Sequence, residues 1–406
     1  MVNFTILAGG FSTFIATYVF DSDASTLSLT QQTETGPSPS WIASHPTNLS
    51  ILYAVNELNP GGNLQSFTVD STGGLQNIDN VTTGGNGPTF TVMLSTGEVT
   101  AMNFGSPNCS FVATDPNDPL RFERDSPVIS FPIPDGAPSN PHMSLEVNDE
   151  VLVPDLGGDK IWRIARDGAP GNFKVQGQID IDQGAGPRHI AVLDNILFTV
   201  HEKTSTLTAQ AIPAAPNGTT FPLIANVSII PEDALPGSQF AAAEILISTP
   251  TDAFPNPLIY VSNRNISPNV TDPRGDTIAI FEFVSGAADA QAAGNTRRML
   301  RRPSRSRPNK GGNGQGAGAG AGAGADTAAP ASGQLNLLAQ VPTGLQQIRS
   351  MALGRVDDGG DEFIIAGANT VGGVAVFQRV DGGRNLTLVA RNEDLQNRTS
   401  FVFVEQ

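Results

Sequence analysis

A short apolar strand, a polar or glycine break, and a second strand ending in an aromatic or aliphatic pair recur seven times along this chain. The copies occupy 4–21, 51–70, 90–105, 150–168, 196–212, 258–283 and 362–380, beginning with FTILAGGFSTFIATYVFD and ILYAVNELNPGGNLQSFTVD. Within each copy, β-branched and aromatic residues form short runs bounded by Gly, Pro, Asn and Asp, as strands between tight turns do. No segment sustains a helical period beyond two turns. Starts fall roughly 40 to 60 residues apart, except the last, which follows a low-complexity stretch. That period, with several strands per repeat, predicts a β-propeller. The expected fold is all-β: a seven-bladed propeller of four-stranded antiparallel blades whose apolar faces pack against one another.

The repeats span the chain, so 1–406 is read as one propeller domain. The tail RTSFVFVE (398–405) is strand-like and is predicted to pair with the first repeat, closing the ring without a free edge. Residues 285–334 break the pattern with a basic run, RRMLRRPSRSRPNK (297–310), and then a Gly-Ala repeat. Such a segment buries too little apolar surface to order itself and is expected to be a disordered insertion within the sixth repeat. Its basic run has the composition of a nuclear-localisation or polyanion-binding tract, and equally of a solvated linker.

Composition narrows the partners. The chain is 39% apolar and 15% charged, which suits a sizeable core. Asp and Glu number 39 against 23 Lys and Arg, a formal net charge of −16, so nucleic acid and anionic membranes are poor partners. A small anion would have to meet a local cluster of arginines. Cys109 is the only cysteine, which excludes an intrachain disulfide and fits a reducing compartment. There is no run of 18 apolar residues and no basic n-region. The expected location is cytoplasmic, although ten N-x-S/T sequons between Asn3 and Asn397 leave a secreted form open.

The repeats align on their opening phrases, PSPSWIA, GPTFTV, NPHMSL, GPRHIA, AAEILI and QIRSMA. One column then reads Ser40, Thr89, His142, Arg188, Ala243, Arg349, and the next reads Trp41, Phe90, Met143, His189, Glu244, Ser350. A third column, where the following strand ends, reads Glu57, Asp155, Glu202 and Arg264, with Asn369 beside it. Polar residues at these points are expected to face the channel mouth. Arg188, Arg264 and Arg349 would concentrate positive charge there as ligands for an anion, with Arg188 and Arg264 alternatively structural partners of Glu202 or Glu57. His142 and His189 would stand beside them, while His45, in SHP, fits a turn. No metal-binding spacing, G-x-S-x-G elbow, P-loop or WD40 signature is present.

The phrases SHPTNLSILYAVNE, NPHMSLEVNDEVLVPDLGGDKIWRI, GAGPRHIAVLDNILFTVHE, PLIYVSNRN and GANTVGGVAVF resemble the seven-bladed lactonase propeller family over the chain outside 285–334. That family includes a bacterial-type 6-phosphogluconolactonase and the fungal 3-carboxy-cis,cis-muconate lactonizing enzyme, to which the likeness is closer. The resemblance implies a carboxy-cis,cis-muconate cyclase of the β-ketoadipate route of aromatic catabolism, acting on a polycarboxylate without metal or organic cofactor. It places the catalytic site on His142 in NPHM, Arg188 in GPRH, Glu202 in VHE and Arg264 in SNRN. His189, Arg349, Glu57 and Glu244 are expected to assist substrate binding. The long insertion departs from the family pattern, as does VHE, where NE is the commoner form.

In that chemistry the arginines clamp carboxylates and stabilise enolate charge, with His142 or Glu202 as the acid. The alternatives are hydrolysis of a lactone by water activated at Glu202 or His142, as in 6-phosphogluconolactonase, and a non-catalytic binding propeller.

Overall fold

The computed structural model describes residues 3–286 and 332–404. Seven four-stranded blades surround a channel, the middle one with a short fifth strand. Blade 2 shows the plan: Trp41–Ser44 lies innermost, followed outward by Ile51–Asn56, Asn63–Val69 and Leu75–Thr82. Blades 3 to 7 begin with the inner strands Pro88–Phe90, Leu145–Val147, Pro187–Leu193, Phe240–Ile247 and Ile348–Leu353. Blade 1 is composite. Its inner strand is Arg398–Val404 from the end of the chain, and Asn3–Gly10, Phe14–Asp21 and Thr26–Glu34 complete it. Thr5 faces Val404 and Ala8 faces Phe401 in this antiparallel seam, so the predicted closure is present.

In six of the seven sequence copies the two apolar runs are the second and third strands of a blade. These strands are covered on both faces by neighbouring blades, which makes them apolar without strict alternation; Ile51–Asn56, for example, is buried at every position. The copy at 90–105 instead covers the end of blade 3's inner strand and the strand Val99–Asn103. Outer strands such as Thr26–Glu34 are largely exposed and polar, and so carry no apolar signal.

Seven clusters of buried apolar side chains fill the seven blade interfaces. Phe4, Tyr18 and Phe403 of blade 1 meet Phe363 and Val376 of blade 7. Each large side chain so buried contributes about 1.5–3 kcal/mol relative to exposure. Two small elements were absent from the sequence pattern. Gly218–Thr219 pairs in parallel with Phe173–Asp180 on the edge of blade 4. The hairpin of Thr114–Asp115 and Asp118–Phe122 seats Phe122 between blades 2 and 3.

The expected disordered insertion falls largely at 287–331, outside the described residues. Its flanks are strands: Thr277–Ser285 pairs with Gly333–Pro342, and Ser285 faces Gly333. The chain therefore leaves and re-enters blade 6 at one point on its outer edge, away from the inner strands.

If closure holds the ring together, Phe403→Ala, at a side chain 4% exposed, should cost about 3–5 kcal/mol in denaturant unfolding. A loss below about 1 kcal/mol would contradict the role given to the seam.

Candidate functional site

The site arises from a repeated irregularity at the start of the inner strands. The ladder between inner and second strand skips Thr89 in blade 3, Arg188 in blade 5 and Thr399 in blade 1. It also skips the pairs Ala243–Glu244 in blade 6 and Arg349–Ser350 in blade 7. Each is a β-bulge, which re-aims side chains out of the pleat. The bulged residues tie blade to blade: Thr89 Oγ1 donates to the His142 carbonyl (3.3 Å), Arg188 Nη1 to the Ala243 carbonyl (2.6 Å) and Thr399 Oγ1 to the Ser40 carbonyl (2.8 Å).

His142, Arg188, Glu202 and Arg264 come together, and so do the four residues expected to assist them. Glu202 is the hinge of the group. Its Oε2 stands 2.6 Å from Arg264 Nη2 and 2.9 Å from Arg188 Nε, the latter a charge contact without hydrogen-bond alignment. Arg264 also donates from Nε to the Ala241 carbonyl (3.4 Å) and from Nη2 to the Ala242 carbonyl (3.3 Å). Arg349 stacks on Phe11, its guanidinium carbon 5.2 Å from the ring centroid, and lies 3.9 Å from Glu57. The Arg188 side chain is 1% exposed, whereas Glu202, Arg349 and Glu57 keep about a fifth to a quarter of theirs open.

This charge governs the neighbours. Burial lowers the Arg188 pKa to about 9, reinforced by Arg264 and Arg349 against the pull of Glu202 and Glu244. For Glu202, burial favours the neutral acid, but Arg264 and Arg188 outweigh it and hold the carboxylate below its usual range. Glu57 goes the other way: burial raises its pKa despite Arg349, the Ser40 hydroxyl and Arg188. Glu57 Oε2 is buried without a hydrogen-bond partner. His142 is held well below its ordinary value, first by burial, then by repulsion from Arg188, His189, Arg349 and Arg264.

His142 ends a relay through the second column. Its Nδ1 is 3.2 Å from His189 Nε2, and His189 Nδ1 is 2.6 Å from Glu244 Oε1. Glu244 Oε2 accepts from Ser350 Oγ at 3.0 Å. A carboxylate can only accept, so His189 Nδ1 carries the hydrogen. Burial holds the His189 pKa below its ordinary value against the pull of Glu244, so its Nε2 carries no hydrogen and accepts from His142 Nδ1–H, which leaves the lone pair on His142 Nε2. Trp41 and Phe90 pack on His189, with ring centroids 5.4 and 6.0 Å away, and Phe104 packs on His142 at 5.6 Å.

Not every aligned residue joins the site. Asp155 lies one step back from Glu202: its bridge partner Pro141 corresponds to Pro187, which faces His201. It is tied down by Ser139 Oγ (2.6 Å), the Asn140 and Gly158 backbone N–H groups and Trp162 Nε1 (2.9 Å). His201 bonds Thr208 Oγ1 (2.9 Å). His45 accepts from the N–H groups of Thr47 and Asn48, as a turn histidine does. Sequence reasoning missed the contacts of Ser350, Phe104 and Phe11. Ser350 stood in the second column without an assigned role, and the two aromatics lie outside the columns. Among the described residues no group of three or more His, Cys, Asp or Glu could hold a metal ion.

The family model for the seven-bladed β-propeller lactonases matches residues 5–301. The chain belongs to this lactonase family. No functionally curated protein matches it in sequence. Among solved structures, a protein from Lactobacillus plantarum aligns with TM-score 0.71 and 18% identity over 99% of this chain and 100% of that one. A protein from Bacteroides fragilis assigned as a 6-phosphogluconolactonase aligns with TM-score 0.71 and 17% identity over 99% and 98%. A periplasmic gluconolactonase from Pseudomonas aeruginosa aligns with TM-score 0.72 and 16% identity over 99% of both chains. At such identities the likeness shows the shared fold. The expected closeness to the muconate enzyme and the cytoplasmic location gain no support from these matches. No helix among the described residues is long and apolar enough to cross a membrane.

The shared carboxylate makes a stability prediction. Glu202→Gln leaves Arg188 and Arg264 without their common partner. Removing one member of a fully buried pair costs about 3–5 kcal/mol; Glu202 is partly open, so about 2 kcal/mol is expected. Added sulfate should restore part of it in thermal melts. Full stability without sulfate would show that Glu202 does not balance the arginines.

Proposed function

We propose that this lactonase hydrolyses an anionic lactone of the 6-phosphogluconolactone type. The observation that carries this reading is the buried His142–His189–Glu244 chain, which anchors His142 through Nδ1 and leaves Nε2 free, in surroundings whose burial and arginines favour the neutral ring. A neutral imidazole is suited to remove a proton, not to deliver one. His142 Nε2 takes a proton from water, and the hydroxide adds to the lactone carbonyl. The arginine cluster holds the phosphate or carboxylate and stabilises the oxyanion of the tetrahedral intermediate. The ring C–O bond then breaks, and the proton returns from His142 to the departing alkoxide. Glu202 keeps the arginines aligned.

The expected cycloisomerisation of 3-carboxy-cis,cis-muconate is the second reading, and two observations favour it. Three arginines match three carboxylates, and Glu57, whose pKa burial raises, is the group best placed to hold a proton for donation. In that reading Arg188 and Arg264 stabilise the enolate, and Glu57 protonates the carbon in place of the expected acids, His142 and Glu202, whose pKa values are both lowered.

The two separate by assay and by variant. Purified protein with added chelator should hydrolyse 6-phosphogluconolactone, and His142→Gln should lose about 10²–10⁴-fold while Glu57→Gln loses little. Loss of the conjugated-diene absorbance of carboxymuconate, abolished by Glu57→Gln, would replace hydrolysis by cycloisomerisation. In either reaction Arg188→Ala should cost about 3 kcal/mol of transition-state stabilisation. Silence in both assays would leave a binding propeller.

The pH profile follows from the direction of the His142 shift. The neutral form is the active base, and its pKa lies below the usual histidine value of about 6.5. The hydrolytic kcat/KM should therefore persist as pH falls through 6.5 and decline only at lower pH. An acid limb at or above 6.5 would exclude His142 as the base.

A further inference from the structure

Arg264 and Arg349 come from different blades, and one buried carboxylate outside the site joins the segments that carry them. Asp276, 4% exposed, lies at the start of blade 6's third strand. Its Oδ1 accepts from the backbone N–H of Asn265 at 2.9 Å, and Asn265 directly follows Arg264. Its Oδ2 accepts from the backbone N–H of Gln347 at 2.5 Å, two residues before Arg349. The backbone of Asp276 continues the seam: its N–H donates to the Leu345 carbonyl at 2.6 Å, and its carbonyl accepts from Thr343 N–H at 3.0 Å. Gly275 makes the approach possible. Its φ is +77°, and a Cβ there would sit 2.5 Å from the Leu345 nitrogen.

We propose that Asp276 is a positioning residue: its two oxygens clamp the Arg264 and Arg349 segments and so set the separation of these guanidinium groups for the bound anion. This rests on reading the arginine cluster as the anion site. Both oxygens are needed, because each accepts from a different blade's segment. An asparagine amide offers one acceptor oxygen, so either Asn265 or Gln347 would lose its partner in a buried seam. The charged groups around Asp276 are Arg264 on the neighbouring strand and Asp272 on its own loop, with Arg274 held by Asp272 and Asp233. Burial raises the Asp276 pKa to about 6; Asp272 adds to this, and the two N–H bonds and Arg264 oppose it. The clamp is therefore complete near neutral pH and weakens as protonation removes one acceptor on acidification.

The test is sulfate binding by calorimetry, since sulfate stays a dianion across this range and needs no turnover. Wild-type affinity should fall about tenfold between pH 7 and pH 5, as the Asp276 carboxylate goes from mostly ionised to mostly protonated. Asp276→Asn should bind about tenfold more weakly at pH 7 and lose most of that pH step. It should raise KM more than it lowers kcat. Asp272→Asn, on the same loop, should bind sulfate at pH 7 as wild type does and keep the pH step with its midpoint moved toward lower pH, because Asp272 adds to the Asp276 shift; it thereby controls for general loosening. Wild-type sulfate affinity in Asp276→Asn, or an unchanged pH step, would overturn the clamp. If Arg264→Ala binds sulfate as tightly as wild type, the anion-site reading fails instead.

Discussion

Three guanidinium groups share one end of the channel, and one of them is almost entirely withdrawn from water. That concentration of positive charge constrains everything around it. It holds Glu202 ionised despite burial, and it reinforces the burial that lowers the His142 and Arg188 pKa values. Charges this close repel unless an anion stands among them. Glu202 supplies one negative charge between two arginines; a ligand's phosphate or carboxylate would supply the rest. The protein as a whole is acidic, so attraction depends on this local field and not on net charge.

The propeller makes the arrangement possible by a simple device. Regular pairing would commit every inner-strand residue to the ladder. A bulge at the same point of successive blades frees one or two residues, and those are the ones that carry Arg188, Glu244 and Arg349. The channel end thus has a cationic rim on blades 5 to 7. Beneath it, the imidazole of His189 is packed by Trp41 and Phe90 from across the ring. Aromatic packing keeps water from competing for the His142–His189–Glu244 bonds, which strengthens them.

Much of this was legible in the sequence. Six of the seven apolar phrases marked the strands buried on both faces, and the tail read as the closing strand. Aligning the opening phrases brought His142, Arg188 and Arg349 into one column: the bulge recurs there in blades 5 and 7, and His142 holds the same place in blade 4, one residue past the Pro141–Asp155 bridge. Asp155 went astray because the column was placed by where the strand ends, which left its register open by one residue; its hairpin, closing on Lys160, corresponds to that of His201 closing on Thr206. The relay was not legible, since it needs side chains of adjacent blades to point at each other, which no spacing encodes. Neither was the asymmetry between Glu57 and Glu202. Both are acids at strand ends and similarly buried, and their distances from the arginines separate them.

The most direct test of the account is the protonation of the His142 ring, read by long-range proton–nitrogen NMR of the free protein; the chain has only four histidines. The account predicts a neutral ring at pH 6.5 with its hydrogen on Nδ1 and a titration midpoint below the ordinary histidine range. A ring that is protonated at pH 6.5, or that carries its hydrogen on Nε2, would contradict it.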